Sequence, residues 1–218
     1  MAKRYELIVF DWDGTVMDST AVIATSIQSA CRDLDLPVPS DEDARHVIGM
    51  GLVEALRHAV PTAPEDMYEP LADRYRHYFL EQDQTIPLFS GARETIAELH
   101  EAGHALAVAT GKSRKGLDRV MDSSGLRAYF HASRTADETF SKPHPAMLLE
   151  LMDELGMQPE QVLMIGDTTH DLQMAINAGV DVVGVSYGAH PEEQLRALNP
   201  LALLGDFHEL RAWLKANA

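Results

Sequence analysis

The sequence predicts an α/β protein in which a helical module is inserted after the first strand of a parallel sheet. Four short apolar runs are typical of strands that are buried on both faces. From about residue 85 onward these runs alternate with helical patterns, which favours parallel strands joined by helices. Between residues 18 and 84 the chain has helical periodicity and no convincing strand, which indicates the insertion.

Each predicted strand is a continuous apolar stretch with turn residues at its ends. The four clear candidates are Leu7–Phe10, 105–109, 162–165 and 182–185. Two weaker candidates are residues 129–132 and 201–204. The helices predicted between them are Ala92–Glu101, Arg114–Ser124, 145–155 and Thr169–Ala178. Three of these helices are followed directly by glycine and one begins with proline, as helix termini prefer.

The boundaries of the insertion divide the chain into two predicted domains. Residues 1–17 and 85–218 form the α/β core, and residues 18–84 form the helical module. Within the module, periodicity predicts four helices, over residues 21–34, 41–48, 52–60 and 65–82. Prolines at positions 37, 39, 61 and 64 separate them.

Composition and charge restrict the kinds of partner. The net charge is −16, from 18 basic and 34 acidic residues, which disfavours nucleic acid and anionic membrane surfaces. No apolar run approaches the roughly 18–20 residues that cross a bilayer, and residues 1–10 leave no room for a signal peptide. We therefore expect a cytoplasmic protein. An anionic substrate would need a local divalent metal or a well-placed Lys or Arg.

Carboxylates follow two of the predicted strands. Asp11 and Asp13 come directly after the first strand, and Asp167 and Asp171 come after the strand over residues 162–165. Ligands of open parallel sheets bind at the carboxyl ends of the strands, so these acids are expected to converge. Mg²⁺ fits such a set, because it binds oxygen ligands together with water and phosphate. Taken singly, each acid also fits an ordinary turn or helix start.

Two further segments could bind phosphate. Thr110 and Gly111 end the second strand, where a hydroxyl and free backbone amides can cradle a phosphate. Lys142 stands between Ser141 and Pro143, just before a helix, and would supply a fixed positive charge. In isolation, a plain Thr-Gly loop and a solvated loop lysine are equally compatible with these residues.

Together, these segments resemble the four motifs of the haloacid dehalogenase superfamily, over nearly the whole chain. The motifs are Asp11-Trp12-Asp13-Gly14-Thr15, Thr110, Lys142 and a Gly-Asp-(x3)-Asp that contains Asp167 and Asp171. The resemblance implies a Rossmann-like, doubly wound parallel sheet with an inserted four-helix cap domain. Asp18-Ser19 also resembles the phosphoglycolate phosphatase-like members.

The resemblance also implies a role for each motif residue. Asp11 would attack phosphorus and form an aspartyl-phosphate, while Asp13 would act as general acid and base. Thr110 and Gly111 would hold the phosphoryl oxygens, with Lys142 neutralising charge. Mg²⁺ would be held by Asp11, the backbone carbonyl of Asp13 and Asp167, with Asp171 acting indirectly. The implied activity is hydrolysis of small phosphorylated metabolites.

The sequence narrows the possible functions to three. Asp13 disfavours dehalogenation, because a halide leaving group needs no proton. Residues 18–84 contain no lysine, which excludes the Schiff-base chemistry of phosphonate-cleaving relatives and disfavours a sugar-phosphate mutase. Three hypotheses remain. The protein is a phosphatase that acts on phosphoglycolate or another ester, or it is the disfavoured mutase, or it is a catalytically silent binding protein. Arg45 and Arg57 are candidate substrate-binding residues, and the sequence leaves the oligomeric state open.

Overall fold

The computed structural model of the protein describes residues 4–218, except for the side chain of Gln84. Residues 1–3, the start of the predicted core segment 1–17, lie outside the described residues. The described residues form a six-stranded parallel sheet with the order β3-β2-β1-β4-β5-β6. Its strands are β1 Leu7–Phe10, β2 Ala105–Thr110, β3 Ala132–Thr135, β4 Val162–Gly166, β5 Asp181–Val185 and β6 Leu203–Leu204.

Helices connect the strands, and a run of helices separates β1 from β2. This run, which we call the helical segment, contains α1 Thr20–Asp33, α2 Asp41–His46, α3 Leu52–Ala59 and α4 Tyr68–Gln82. The remaining helices are α5 Ala92–Glu101, α6 Arg114–Ser124, α7 Ala146–Leu155, α8 Thr169–Ala178, α9 Glu192–Arg196 and α10 Phe207–Asn217. No helix within residues 4–218 is both long enough and apolar enough to cross a bilayer.

The central strand β1 shows why the sheet is covered on both faces. All four of its residues are fully buried, and their side chains alternate between two hydrophobic clusters. Ile8 and Phe10 belong to the cluster that includes side chains of α5, α6, α10 and the helical segment. Leu7 and Val9 belong to the cluster formed with α7 and α8. This arrangement confirms the predicted doubly wound parallel sheet.

The two edge strands differ from the sequence prediction. A short 3-10 helix, Arg127–Tyr129, stands where the prediction begins a strand at residue 129, and β3 starts at Ala132. Three of the four residues of β3 are only partly buried, so the strand lacks the apolar run that marks an inner strand. At the other edge, β6 is confined to two residues of the predicted 201–204 stretch.

The helical segment leaves the sheet and returns to it through two adjacent connections. Met17, after β1, forms an isolated antiparallel bridge with Leu88, and the amide of Asp18 donates to the carbonyl of Pro87 at 3.0 Å. Within the segment, α1 packs against α4 and α2, and α3 packs against α4. The two chain connections of the segment thus lie side by side, near the carboxyl end of β1.

Candidate active site

Asp11 lies one residue beyond β1, at the carboxyl edge of the sheet. Its amide donates to the carbonyl of Ile165 in β4 at 2.9 Å, and its side chain is 1% exposed. Oδ1 accepts a hydrogen bond from Lys142 Nζ at 2.6 Å. Oδ2 is buried and has no hydrogen-bond partner among the described residues. A buried carboxylate oxygen without a partner is costly, so this oxygen is a candidate point of contact for a ligand or a metal.

Lys142 is fully buried and joins two of the acids. It lies in the loop between β3 and α7, and its Nζ donates at 2.6 Å to both Asp11 Oδ1 and Asp171 Oδ1. Burial alone would lower the pKa of Lys142, but the charges of Asp11 and Asp171 outweigh burial and raise it above its ordinary value. The lysine therefore remains a positive charge fixed beside Asp11.

Asp167 and Asp171 follow β4 and are held by short hydrogen bonds. Asp167 Oδ1 accepts from Thr15 Oγ1 at 2.7 Å, and its Oδ2 accepts from the amide of Ala189 at 2.7 Å. Asp171 Oδ2 accepts from the amide of Thr168 at 3.0 Å and from its hydroxyl at 2.7 Å. The amide of Asp171 donates in return to Thr168 Oγ1 at 3.3 Å, which completes a capping box at the start of α8. Both carboxylates are therefore fixed in position before any ligand binds.

Two glycines make room for the side chain of Asp167, because they have no side chain of their own. A Cβ atom on Gly14 would lie 2.2 Å from Asp167 Oδ2, and one on Gly188 would lie 2.1 Å from the same atom. Gly14 also has a φ of 83°, in the left-handed region that glycine adopts without strain. The glycine of the first motif thus serves the turn after β1 and the close approach of Asp167.

The buried acids form a cluster with more negative charge than one lysine can balance. Asp11, Asp167 and Asp171 each offer an oxygen, and these atoms lie within 4.8 Å of one another. Burial raises the pKa of Asp11 well above its usual range, Lys142 partly offsets this, and the other two acids add to it. Burial and the charge of Asp171 raise the pKa of Asp167 to about 7. Such an oxygen set fits a hard divalent cation such as Mg²⁺.

Asp13 lies apart from this cluster and has partners of its own. Its Oδ1 accepts from Ser19 Oγ at 2.6 Å and lies 3.0 Å from Lys112 Nζ. The side chain is almost buried, at 7% exposure. Ser19 and Lys112 were not predicted as site residues, although each stands close to a motif, at Asp18-Ser19 and Thr110-Gly111-Lys112.

Thr110 and Gly111 lie at the end of β2, next to β1. Thr110 is buried, and its Oγ1 accepts from the amide of Lys112 at 3.2 Å. A Cβ atom on Gly111 would lie 2.4 Å from the carbonyl oxygen of Met50 and 2.5 Å from that of Gly49. The loop between α2 and α3 therefore packs directly on the predicted phosphate cradle.

The structure separates the two arginines that the sequence suggested for substrate binding. Arg45 forms an ion pair with Asp41 and donates to Thr20 Oγ1 at 3.1 Å, so it reaches the start of α1. Arg57 is bound to Glu65 through both of its terminal nitrogens and is largely solvent-exposed. Only Arg45 thus reaches towards the first motif.

A histidine cluster joins the helical segment to the core. His170 Nε2 and His190 Nε2 each lie 2.9 Å from the carbonyl oxygen of His46, and the rings of His46 and His190 stack at 4.8 Å. Burial lowers the pKa of His170, and burial together with His170 lowers that of His190 to about 4. Both are therefore neutral near pH 7 and fit a structural contact.

A cavity of about 570 Å³ opens between the helical segment and the loops after β2 and β3. Asp13, Gly111 and Lys112 are among its lining residues, and apolar side chains of the helical segment line much of the rest. The cavity thus connects the proposed acid, Asp13, with space under the helices. Neither Arg45 nor Arg57 lines it.

The model of the family described as haloacid dehalogenase-like hydrolase matches residues 8–185, which include all four motifs. The chain belongs to this family. Its curated relatives include a Dickeya dadantii protein named "Probable phosphatase IndB", 36% identical over 211 residues, which are 94% of this chain and 91% of that protein. The "Phosphoglycolate phosphatase" of Vibrio parahaemolyticus is 31% identical over 94% of each chain. The names of these relatives agree with the phosphatase that the sequence predicts.

Solved structures agree with this assignment of the fold. A crystal structure from Haemophilus somnus, described as a "predicted phosphoglycolate phosphatase", superposes with a TM-score of 0.88 at 29% identity and covers all of both chains. A structure from Bacteroides vulgatus, described as a "Putative beta-phosphoglucomutase", gives 0.86 at 20% identity, over 99% of this chain and 91% of that one. At that identity the second likeness shows the fold alone.

Proposed function

We propose that the protein is a Mg²⁺-dependent hydrolase of small phosphate monoesters that works through an aspartyl-phosphate on Asp11. The observation that carries the proposal is the buried cluster at the sheet edge. Lys142 holds Asp11 Oδ1 and Asp171 Oδ1 together, Asp167 lies beside them, and Asp11 Oδ2 has no partner among the described residues. A free carboxylate oxygen next to a fixed positive charge suits attack on an anionic phosphate.

The proposed reaction has two displacements. In the first, Asp11 Oδ2 bonds to phosphorus while the bond from phosphorus to the ester oxygen breaks, and Asp13 gives its proton to the departing oxygen. In the second, Asp13 takes a proton from water, whose oxygen bonds to phosphorus and releases Asp11. Ser19 and Lys112 hold Asp13 through its Oδ1. Asp13 thus ends each cycle in the protonation state in which it began.

A divalent cation beside the acids would balance their charge when they are ionised. Asp11 and Asp167, with the backbone carbonyl of Asp13, would hold Mg²⁺, and Asp171 would act through water or through Lys142. When bound, Mg²⁺ would neutralise phosphate charge and fix the phosphoryl group in line with Asp11. Lys142 neutralises a further charge, while Thr110 and the amide of Gly111 hold phosphoryl oxygens.

The domain organisation proposed from the sequence is consistent with this site. Residues 1–17 and 85–218 would form the catalytic core, and residues 18–84 would form a cap domain that closes over it. The support is that the two chain connections lie side by side at Met17 and Leu88, and that the loop between α2 and α3 packs on Gly111. A closing cap would exclude water from the aspartyl-phosphate until the alcohol has left.

A phosphorylated metabolite in the cytoplasm is the proposed substrate. Phosphoglycolate is one candidate, because several relatives are named "Phosphoglycolate phosphatase". The decisive assay measures phosphate released from a panel of phosphate monoesters, with Mg²⁺ and with chelator. We expect the wild type to release phosphate only when Mg²⁺ is present, and Asp11→Asn to release none. No release from any ester would refute the proposal, and exchange of sugar phosphates without net release would identify a mutase instead.

A further inference from the structure

The cavity next to Asp13 is placed to receive the alcohol part of the substrate. In the proposed reaction the ester oxygen lies at Asp13, because this residue supplies its proton. Asp13 lines the cavity, which continues from there under the helical segment. Its volume of about 570 Å³ falls within the range of about 300–1,000 Å³ that is usual for small-molecule binding sites. The short glycolate part of phosphoglycolate would leave most of it unfilled.

Helix α4 gives this cavity an aromatic wall. Tyr75 and Phe79 are one helical turn apart, and their rings stack with centroids 5.7 Å apart and an angle of 22° between planes. The ammonium group of Lys112 lies 4.7 Å from the Phe79 centroid and 3.0 Å from Asp13. The aromatic wall therefore begins beside the residues that would surround the ester oxygen. Ile23, Val47 and Met50 extend the apolar lining.

The charges around the cavity disfavour a substrate carboxylate there. Three of its four cationic residues are already bound to acids: Lys112 to Asp13, Arg76 to Asp73 and Arg119 to Asp83. The fourth, Lys115, is exposed and has no carboxylate partner among residues 4–218. Two acids, Glu54 and Asp137, also line the cavity. A substrate carboxylate in the cavity would therefore have only the exposed Lys115 to pair with among these four cations, whereas an apolar ring needs no partner.

We propose that the preferred substrates are phosphate monoesters of alcohols that carry a ring, with the ring packed against Tyr75 and Phe79. The inference rests on the proposed hydrolase activity and adds the class of leaving group to it. Aromatic faces favour a stacked or edge-on ring, and the apolar lining favours a partner with little charge of its own. Selectivity would then come from the α4 wall, and the phosphate would be bound by the core.

The test compares esters that share a primary alcohol leaving group and differ in size. The protein is incubated with Mg²⁺ and with benzyl phosphate, ethyl phosphate or phosphoglycolate in turn, and kcat/KM is measured for each ester. We expect benzyl phosphate to exceed both of the others by at least tenfold. Equal values, or a preference for phosphoglycolate, would refute the inference and leave the hydrolase activity standing. No phosphate release from any of the three esters, or from the wider panel, would refute both proposals.

Variants locate the preference on the wall of the cavity. Phe79→Leu keeps an apolar side chain and should lower kcat/KM for benzyl phosphate about tenfold more than for ethyl phosphate, mainly through KM. Tyr78→Leu is the matched control, because Tyr78 lies on the same helix and donates to Asp33 instead of lining the cavity. An equal loss on both esters, or no loss on benzyl phosphate in a folded Phe79→Leu protein, would refute the assignment of the ring to this wall.

Discussion

Replacing Asp167 by asparagine should stabilise the metal-free protein at pH 8. The gain in stability should be smaller at pH 5. The pKa of Asp167 rises from an ordinary 3.8 to about 7 in the fold, so the folded protein keeps a proton that the unfolded chain releases. With a raised folded pKa, stability is highest at low pH and falls as pH rises from about 4 to about 7. The loss is about 2 kcal/mol by pH 5 and about 4 kcal/mol by pH 8.

Asparagine does not titrate, so Asp167→Asn should escape this loss. Its amide can accept from Ala189 and face Thr15, at a cost of about 1 kcal/mol for an imperfect hydrogen bond, which is the same at both pH values. The variant's advantage over the wild type should therefore grow by about 2 kcal/mol from pH 5 to pH 8.

Urea unfolding with chelator at pH 5 and pH 8 measures this difference directly. Repeating the pH 8 measurement with Mg²⁺ adds a second comparison: the metal should stabilise the wild type and have little effect on Asp167→Asn. An equal pH dependence of the two proteins would contradict the electrostatic account of Asp167. Equal stabilisation of both proteins by Mg²⁺ would contradict its assignment as a metal ligand.

Three further substitutions test other parts of the site. Lys142→Ala should abolish turnover and destabilise the protein at pH 8 by about 3–5 kcal/mol in urea unfolding, because it leaves two buried carboxylates without their cation; stability within 1 kcal/mol of the wild type would contradict this. Gly111→Ala should lower kcat at least tenfold, because its Cβ would displace the carbonyls of Gly49 and Met50; unchanged kinetics would show that the loop moves freely. Arg57→Ala should leave kcat/KM within about twofold, since its partner is Glu65 at the surface; a large rise in KM would restore it as a substrate-binding residue.

The inner strands were predictable because burial leaves a simple mark on the sequence. β1 and β4 are buried on both faces, so every position in them except the final Gly166 is a large apolar residue. The edge strand β3 carries Ser133 and Arg134 at partly exposed positions, and this pattern resembles a loop. The aromatic residues just before it therefore predict a start at residue 129, where a 3-10 turn over Arg127–Tyr129 instead ends.

The motif residues were predictable for a different reason, which is their position after strands. The order and register of the sheet bring Asp11 and Asp167 to one edge, and Lys142 reaches them from the loop before α7. The partners that hold them, such as Ser19 on Asp13, depend on how loops approach each other. No local pattern records such an approach, and the same holds for the aromatic wall on α4.

The most direct test of the account is to find the phosphoryl group on Asp11. The protein is mixed with Mg²⁺ and a substrate from the panel, quenched in acid within the first turnovers, and digested for mass spectrometry. The account predicts one added phosphoryl group on the peptide that carries Asp11, lost on brief alkaline treatment and absent from Asp11→Asn. Rapid turnover with no phosphorylated peptide, or with the group on another residue, would contradict it.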